Sequence, residues 1–400
     1  MPYQTGKNIQ VAYKEQPGKG VLATGTGATG LRLNPSAGLR LQKAVVNSNE
    51  VRRDGQTTRG RHGTRTVPPG TYETELSVGT LDKIFEAVMR ATTTPQQTID
   101  ESDVTSITTT ASTIVAATGS FLALGVRRGD VVRLENHSTA ANNSRWLRVL
   151  GVTATTITLP ANSLTLNASA DTDFELIVAK TIVNPSTPVE RYFTFDEYNI
   201  DTDTSYRFSD MKISQIQITA NPDANIVVSI TLLGLDGEAL DAADSPHFPD
   251  PVYTTTLPLI MADGKIRING VDYADLTAFQ LTWNLGGQAP SVLGRNAVDV
   301  FLANAVVSGS ITAMRNGALF FNAFRDETQL DIFVFCEEAE AVADPKPFTS
   351  FYLGNAVFDG NDGPIGGEGP LLETIPFRAG KDEAGGDRAL TTMKICSSAS

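Results

Sequence analysis

A chain of 400 residues with 41% hydrophobic and 19% charged side chains and a net charge of −13 is too long for one ordinary compact domain and too apolar to be disordered. Two or three globular units are expected. No run approaches the roughly 18 apolar residues that span a bilayer, and the opening MPYQTGKNIQVAYKEQPGKG lacks the apolar core of a secretory signal, so synthesis and folding in a cytoplasm are expected.

The charge is unevenly spread. Residues 1–65 hold eleven Lys/Arg against three acids, a net of +8, which leaves −21 for the rest of the −13 total. A basic arm on an acidic body has three readings: nucleic-acid binding, docking of the arm of one copy on the body of the next, or a solvated arm with no partner. The two cysteines, Cys336 and Cys396, make neither a disulfide framework nor a zinc site and read as free thiols.

In chain order, residues 1–70 are Gly-rich, with a strand candidate at 39–46 and a long, polar, basic loop at 47–69. A helix over 80–91 follows, with Thr80 as N-cap and Asp82 in the first turn. Leu81, Ile84, Phe85, Val88 and Met89 form its single apolar stripe. From 92 to 180 the composition shifts to Thr, Ala, Ser and Asn. Strand candidates at 104–109, 130–134, 145–152, 155–159 and 174–178 predict a small all-β module over 97–180. Beyond 190 the alternation is cleaner. Ile226, Val228, Ile230 and Leu232 share a face, as do Phe279, Leu281, Trp283 and Leu285, and Leu330, Ile332 and Val334. Such period-two patterns predict sheets with one buried face. Residues 181–345 are therefore read as the remainder of a β-sandwich begun in 1–96, and 346–400 as an extended C-terminal arm whose aromatics need a partner surface.

The sequence offers no constellation for catalysis, and no enzyme is expected. His62, His137 and His247 are isolated and read as surface residues, without a second His or Cys at metal-ligand spacing. Residues 25–30 match GxGxxG, but Pro35 and Gly38 fall where the phosphate-binding helix would have to start. Those glycines read as turn residues. Adjacent acids such as Glu337 and Glu338 point to opposite faces of a strand and make a distributed negative surface, not an acid/base pair. No cofactor or metal is expected.

Several stretches together resemble the tail tube proteins of long non-contractile-tailed (siphovirus-type) phages, in the subgroup with a small inserted β-domain. They are GKNIQVAYKEQPGKGVLA, EVRRDGQTTRGRHGTRTVPPGTYETEL, GTLDKIFEAVMRA, FLALGVRRGDVVRLEN with WLRVLGVTATTITL, YFTFDEYNIDTDTSYRFSDMKISQIQITANPDANIVVSITLLG and VVSGSITAMRNGALFFNAF. The resemblance spans roughly 1–345. It implies a mainly β fold, a sandwich with one flanking helix that lends strands to an inter-subunit barrel. It also implies hexameric rings stacked into the tail tube of the virion. The implied partners are further copies, the tape-measure protein, tail terminator and distal tail proteins, and passing double-stranded DNA that is not bound specifically.

Elementary physics suits that picture. Exposed strand edges invite aggregation, and closing sheets between copies removes them. On this reading Arg52, Arg53, Arg59, Arg61 and Arg65 are candidate contacts to a neighbouring subunit or ring. Acids within 196–210 and 263–275 are candidates for a negative lumen that repels DNA phosphate. The module would sit outside the tube and be removable. Three alternatives remain: another ring-forming virion component such as a head–tail connector or tail terminator, a carbohydrate-binding β-protein, and a DNA-binding protein that uses the basic arm.

Overall fold

The computed structural model describes residues 3–56, 60–241, 243–293, 297–338, 340–341, 344–360, 365–366 and 368–399. The protein is mainly β, as expected. Its spine is the strand Thr204–Ala220. The N-terminal half of that strand pairs with Phe193–Asn199 and Asp236–Leu240, and the C-terminal half pairs with Val227–Gly234 and Leu276–Asn284. The change of partners falls at Asp210, which has φ +52°, with register shifts on either side. A bulge bends and twists a strand, and here it carries one strand from the first sheet of a sandwich into the second.

The larger sheet continues antiparallel. On one flank, Val227–Gly234 pairs with Arg61–Glu75. On the other, Leu276–Asn284 is followed by Val306–Met314, Leu372–Ala379, Phe348–Phe358 and Leu330–Glu337. The alternating residues named above are all buried in one core, each worth roughly 1.5–3 kcal/mol relative to exposure. Helix Asp82–Val88 covers that core, with Ile84, Phe85 and Val88 buried and Phe85 edge-on to Phe351 at 5.9 Å.

Several expectations need correction. Thr80 is not the N-cap. The helix starts after Leu81, and Thr80 lies in the preceding turn, where its carbonyl accepts the Tyr13 hydroxyl at 2.8 Å. A second helix, Leu319–Arg325, is present in addition to the one flanking helix that was expected. The short apolar run LFFNAF has no period long enough to tell helix from strand. Only its Phe320 and Ala323, three residues apart, are buried. The basic loop is shorter than expected, because Arg61–Glu75 is a 15-residue strand.

Residues 346–400 do not stand off as an arm. Phe348–Phe358, Leu372–Ala379 and Lys394–Ser397 are strands of the large sheet, and Phe348, Phe351, Tyr352 and Phe358 are buried in it. The aromatics that called for a partner surface find it within the chain.

Residues 97–178 build one four-stranded and one five-stranded sheet around a core of their own. The strands Ile107–Thr109, Val131–Glu135, Trp146–Arg148, Gly151–Val152, Thr156–Thr158 and Glu175–Val178 fall within or beside the expected segments. Those at Gln97–Ile99, Thr113–Ala116 and Asn167–Asp171 carry too little apolar alternation to be read. This unit covers the large sheet: Val131, Trp146, Ile177 and Ala179 pack on Phe333, Phe335, Phe348, Tyr352 and Cys396. The strand Leu330–Glu337 is therefore buried on both faces, not one. At the contact, Gly129 lies so close to Tyr352 that a Cβ would fall 2.4 Å from the ring. His137 is buried, not a surface residue. Its Nδ1 accepts the Thr139 backbone N–H at 3.0 Å.

Candidate assembly interface

The strand Arg61–Glu75 changes character along its length. From Val67 onward it is locked to Val227–Gly234, with Val67, Tyr72 and Thr74 buried. Before that point its strand partner among the described residues is Gln42–Val46, in the register Gln42 opposite Thr66 and Val46 opposite Arg61. Every residue of Gln42–Val46 is exposed. Fifteen strand residues span about 50 Å, so the outer part of the hairpin runs past the sheet. A two-stranded ribbon with both faces in water is marginally stable by itself.

The ribbon is rooted by a buried cluster. Glu197 Oε1 accepts the Leu39 backbone N–H at 2.9 Å and also the Tyr72 hydroxyl. Burial pushes the Glu197 carboxyl above its usual range, against the lowering effect of those two donors. Gly38 has φ +67°, and a Cβ on Gly70 would lie 2.6 Å from the Gly38 carbonyl, so only glycine lets the two strands approach this closely.

The candidate arginines separate on inspection. Arg53 and Arg61 are exposed on the hairpin. Arg52 pairs with Asp54 at 3.0 Å within the same turn, and Arg65 pairs with Asp236 at 2.5 Å across the root. Arg59 lies outside the described residues. The sequence reading missed the apolar side chains of the ribbon: Leu41 and Val45 toward one face and Val46 toward the other are 38%, 63% and 60% exposed. Beside it, Ser291 Oγ donates to Thr64 Oγ1 at 2.9 Å, and Phe301 is exposed.

Two other expectations change. Asp196 is buried and accepts the Phe248 backbone N–H at 3.1 Å, so it leaves the set of lumen candidates. Trp146, the aromatic most open to a carbohydrate reading, has Arg133 over its ring at 4.7 Å and Phe348 at 4.9 Å. Neither of its faces is free for a sugar. The Cys336 thiol is buried, which pushes it up to about 12 and away from reactivity. Among the described residues no group of His, Cys, Asp and Glu is placed to hold a metal ion.

A family model described as phage tail tube protein matches residues 6–379. It extends past the 345 boundary of the sequence resemblance and takes in the strands Phe348–Phe358 and Leu372–Ala379. No curated protein matches the chain.

Proposed function

The chain belongs to the phage tail tube protein family, and from that premise we propose that it is the non-enzymatic structural subunit of a siphovirus-type tail tube, assembling as stacked hexameric rings. The observation that carries this reading is the basic hairpin, an exposed ribbon that runs past its own sheet and shows apolar side chains to solvent. A head-to-tail contact repeated with a rotation closes a ring or continues as a filament, and it would cover that ribbon. Arg53 and Arg61, with Arg59, are the candidates to reach a neighbouring copy. Arg52 and Arg65 already have partners in their own chain.

In the assembled tube, strands from each copy close one barrel. The acidic surplus outside residues 1–65 keeps phosphate from adhering over a screening length of about 8 Å. Asp203, on the surface, is a candidate to line that conduit for double-stranded DNA. Tape-measure protein inside, terminator and distal tail proteins at the ends, and assembly in the host cytoplasm complete the proposal. Residues 97–180 form an inserted domain on the tube exterior.

Negative-stain electron microscopy of the concentrated protein tests this. Hollow tubes or stacked rings are expected; discrete particles at every concentration would overturn it.

A further inference from the structure

The hairpin has an apolar counterpart at the other end of the sheet. The register from Val67 through Gly234 and Asn284 to Val306 puts the hairpin root at the Val306 end of Val306–Met314. Helix Leu319–Arg325 follows the opposite end, at Met314. That helix is fixed from beneath by Phe320, which packs on Tyr273 and Phe358 at 5.6 Å each. Its outer side carries Leu319, Phe321 and Phe324, exposed by 37%, 53% and 42%. Three large apolar side chains on a seven-residue helix are far more than scattered surface hydrophobics.

The charges around the two apolar sets are opposite. Residues 40–65 carry seven Lys/Arg and two acids, a net of +5. Among the described residues the helix end carries exposed Asp326 and Glu327, with exposed Asp275 just before the adjacent strand, against exposed Arg325 and Arg315, a net of −1. Arg325 is engaged with Asp326 at 2.7 Å, and Arg315 faces Glu373 at 3.7 Å.

We infer that the outer face of helix Leu319–Arg325 is the receptor for the hairpin of a second copy, with Leu41 and Val45, which strand alternation puts on one face of the ribbon, seated against Phe321 and Phe324. Ends of opposite charge fix the direction of stacking, since electrostatic complementarity sets register more than strength. Both faces of the contact lie on every copy and at opposite ends, so it repeats without closing on itself. This rests on the self-assembly proposed above.

The test is a cysteine pair, Val45→Cys with Phe321→Cys. The native Cys336 and Cys396 are buried and leave the background low. Under mild oxidation of assembled protein, a non-reducing gel is expected to show a ladder of covalent multimers, and either single variant no more than dimers. Circular dichroism of the double variant before oxidation checks that it folds, and mixing the two single variants one to one, which gives cross-linked dimers on the same geometry, supplies a second readout. Tubes that form without any cross-link in either format would overturn this docking alone. Failure of the unmodified chain to form tubes would overturn the assembly reading, and the docking with it.

Discussion

The ammonium of Lys394 lies 2.7 Å from the carboxylate of Asp130, with both side chains no more than 4% exposed. Lys394 belongs to the last strand of the large sheet, and Asp130 to the small unit of residues 97–178. Lys394 Nζ also donates to the Arg128 carbonyl at 3.2 Å, and Asp130 accepts the Arg127 N–H at 2.6 Å. A buried pair with its remaining valences satisfied fixes geometry, and breaking one side strands the other charge.

Lys394→Met is accordingly expected to cost about 3–5 kcal/mol, because it leaves the Asp130 carboxylate buried without a cation. Adding Asp130→Asn, which removes the charge and keeps an acceptor for Arg127, is expected to recover much of that loss. Urea denaturation midpoints for the two singles and the double read this directly. A loss under about 1 kcal/mol for Lys394→Met would show that the pair is not essential to the contact.

Deletion of 98–179 tests the same contact on a larger scale. Removing it uncovers Phe333, Phe335, Phe348 and Tyr352, which it covers in the intact chain. Contiguous exposed apolar area of this kind promotes aggregation. The deleted chain is expected in the insoluble fraction, and a soluble chain that still makes tubes would refute the dependence.

Glu197 gives a pH prediction. Its carboxyl is raised by burial, so the folded state holds the proton to higher pH than the unfolded state. The associated stability is fully present below the unfolded value of about 4.3 and is lost as pH rises through the raised folded value. Glu197→Gln keeps an acceptor for Leu39 and Tyr72 without the charge. The variant is expected to be at least as stable as the parent at pH 7, with a flatter stability profile between pH 4 and 7. Denaturation midpoints across that range decide the matter; a variant clearly weaker at pH 7 would contradict it.

Arg53→Glu combined with Arg61→Glu is expected to raise the concentration needed for tube assembly, with the larger effect at low salt, and to leave the melting curve of the unassembled chain unchanged. Arg65→Ala differs in kind. It breaks a half-exposed pair with Asp236 and should shift folding stability by no more than about 1 kcal/mol. Sedimentation of assembled material against protein concentration separates the two effects. Unaltered assembly by the double reversal would remove the hairpin arginines from the contact.

The sequence by itself determined the mainly β character, the residues that face the core and the basic end of the chain. Side chains on a strand alternate by geometry alone, so Ile226 to Leu232 and Phe279 to Leu285 declared their buried face without reference to any partner. The candidate interface was legible only in its charge. Arg53 and Arg61 stood out, while Val45 and Val46, in the same strand pair, did not, because an apolar residue looks alike whether its face is covered or open. Only the tertiary structure decided that the last 55 residues are strands of the main sheet, since Phe348 and Tyr352 are covered by side chains some two hundred residues away, Val131 and Trp146 among them. It alone decided which acids are surface and which, like Asp196, are buried. It alone decided that the two exposed apolar sets lie at opposite ends of one sheet's strands. Local pattern encodes which face of an element is greasy; which other element covers that face, or leaves it bare, depends on chain returns that no local pattern contains.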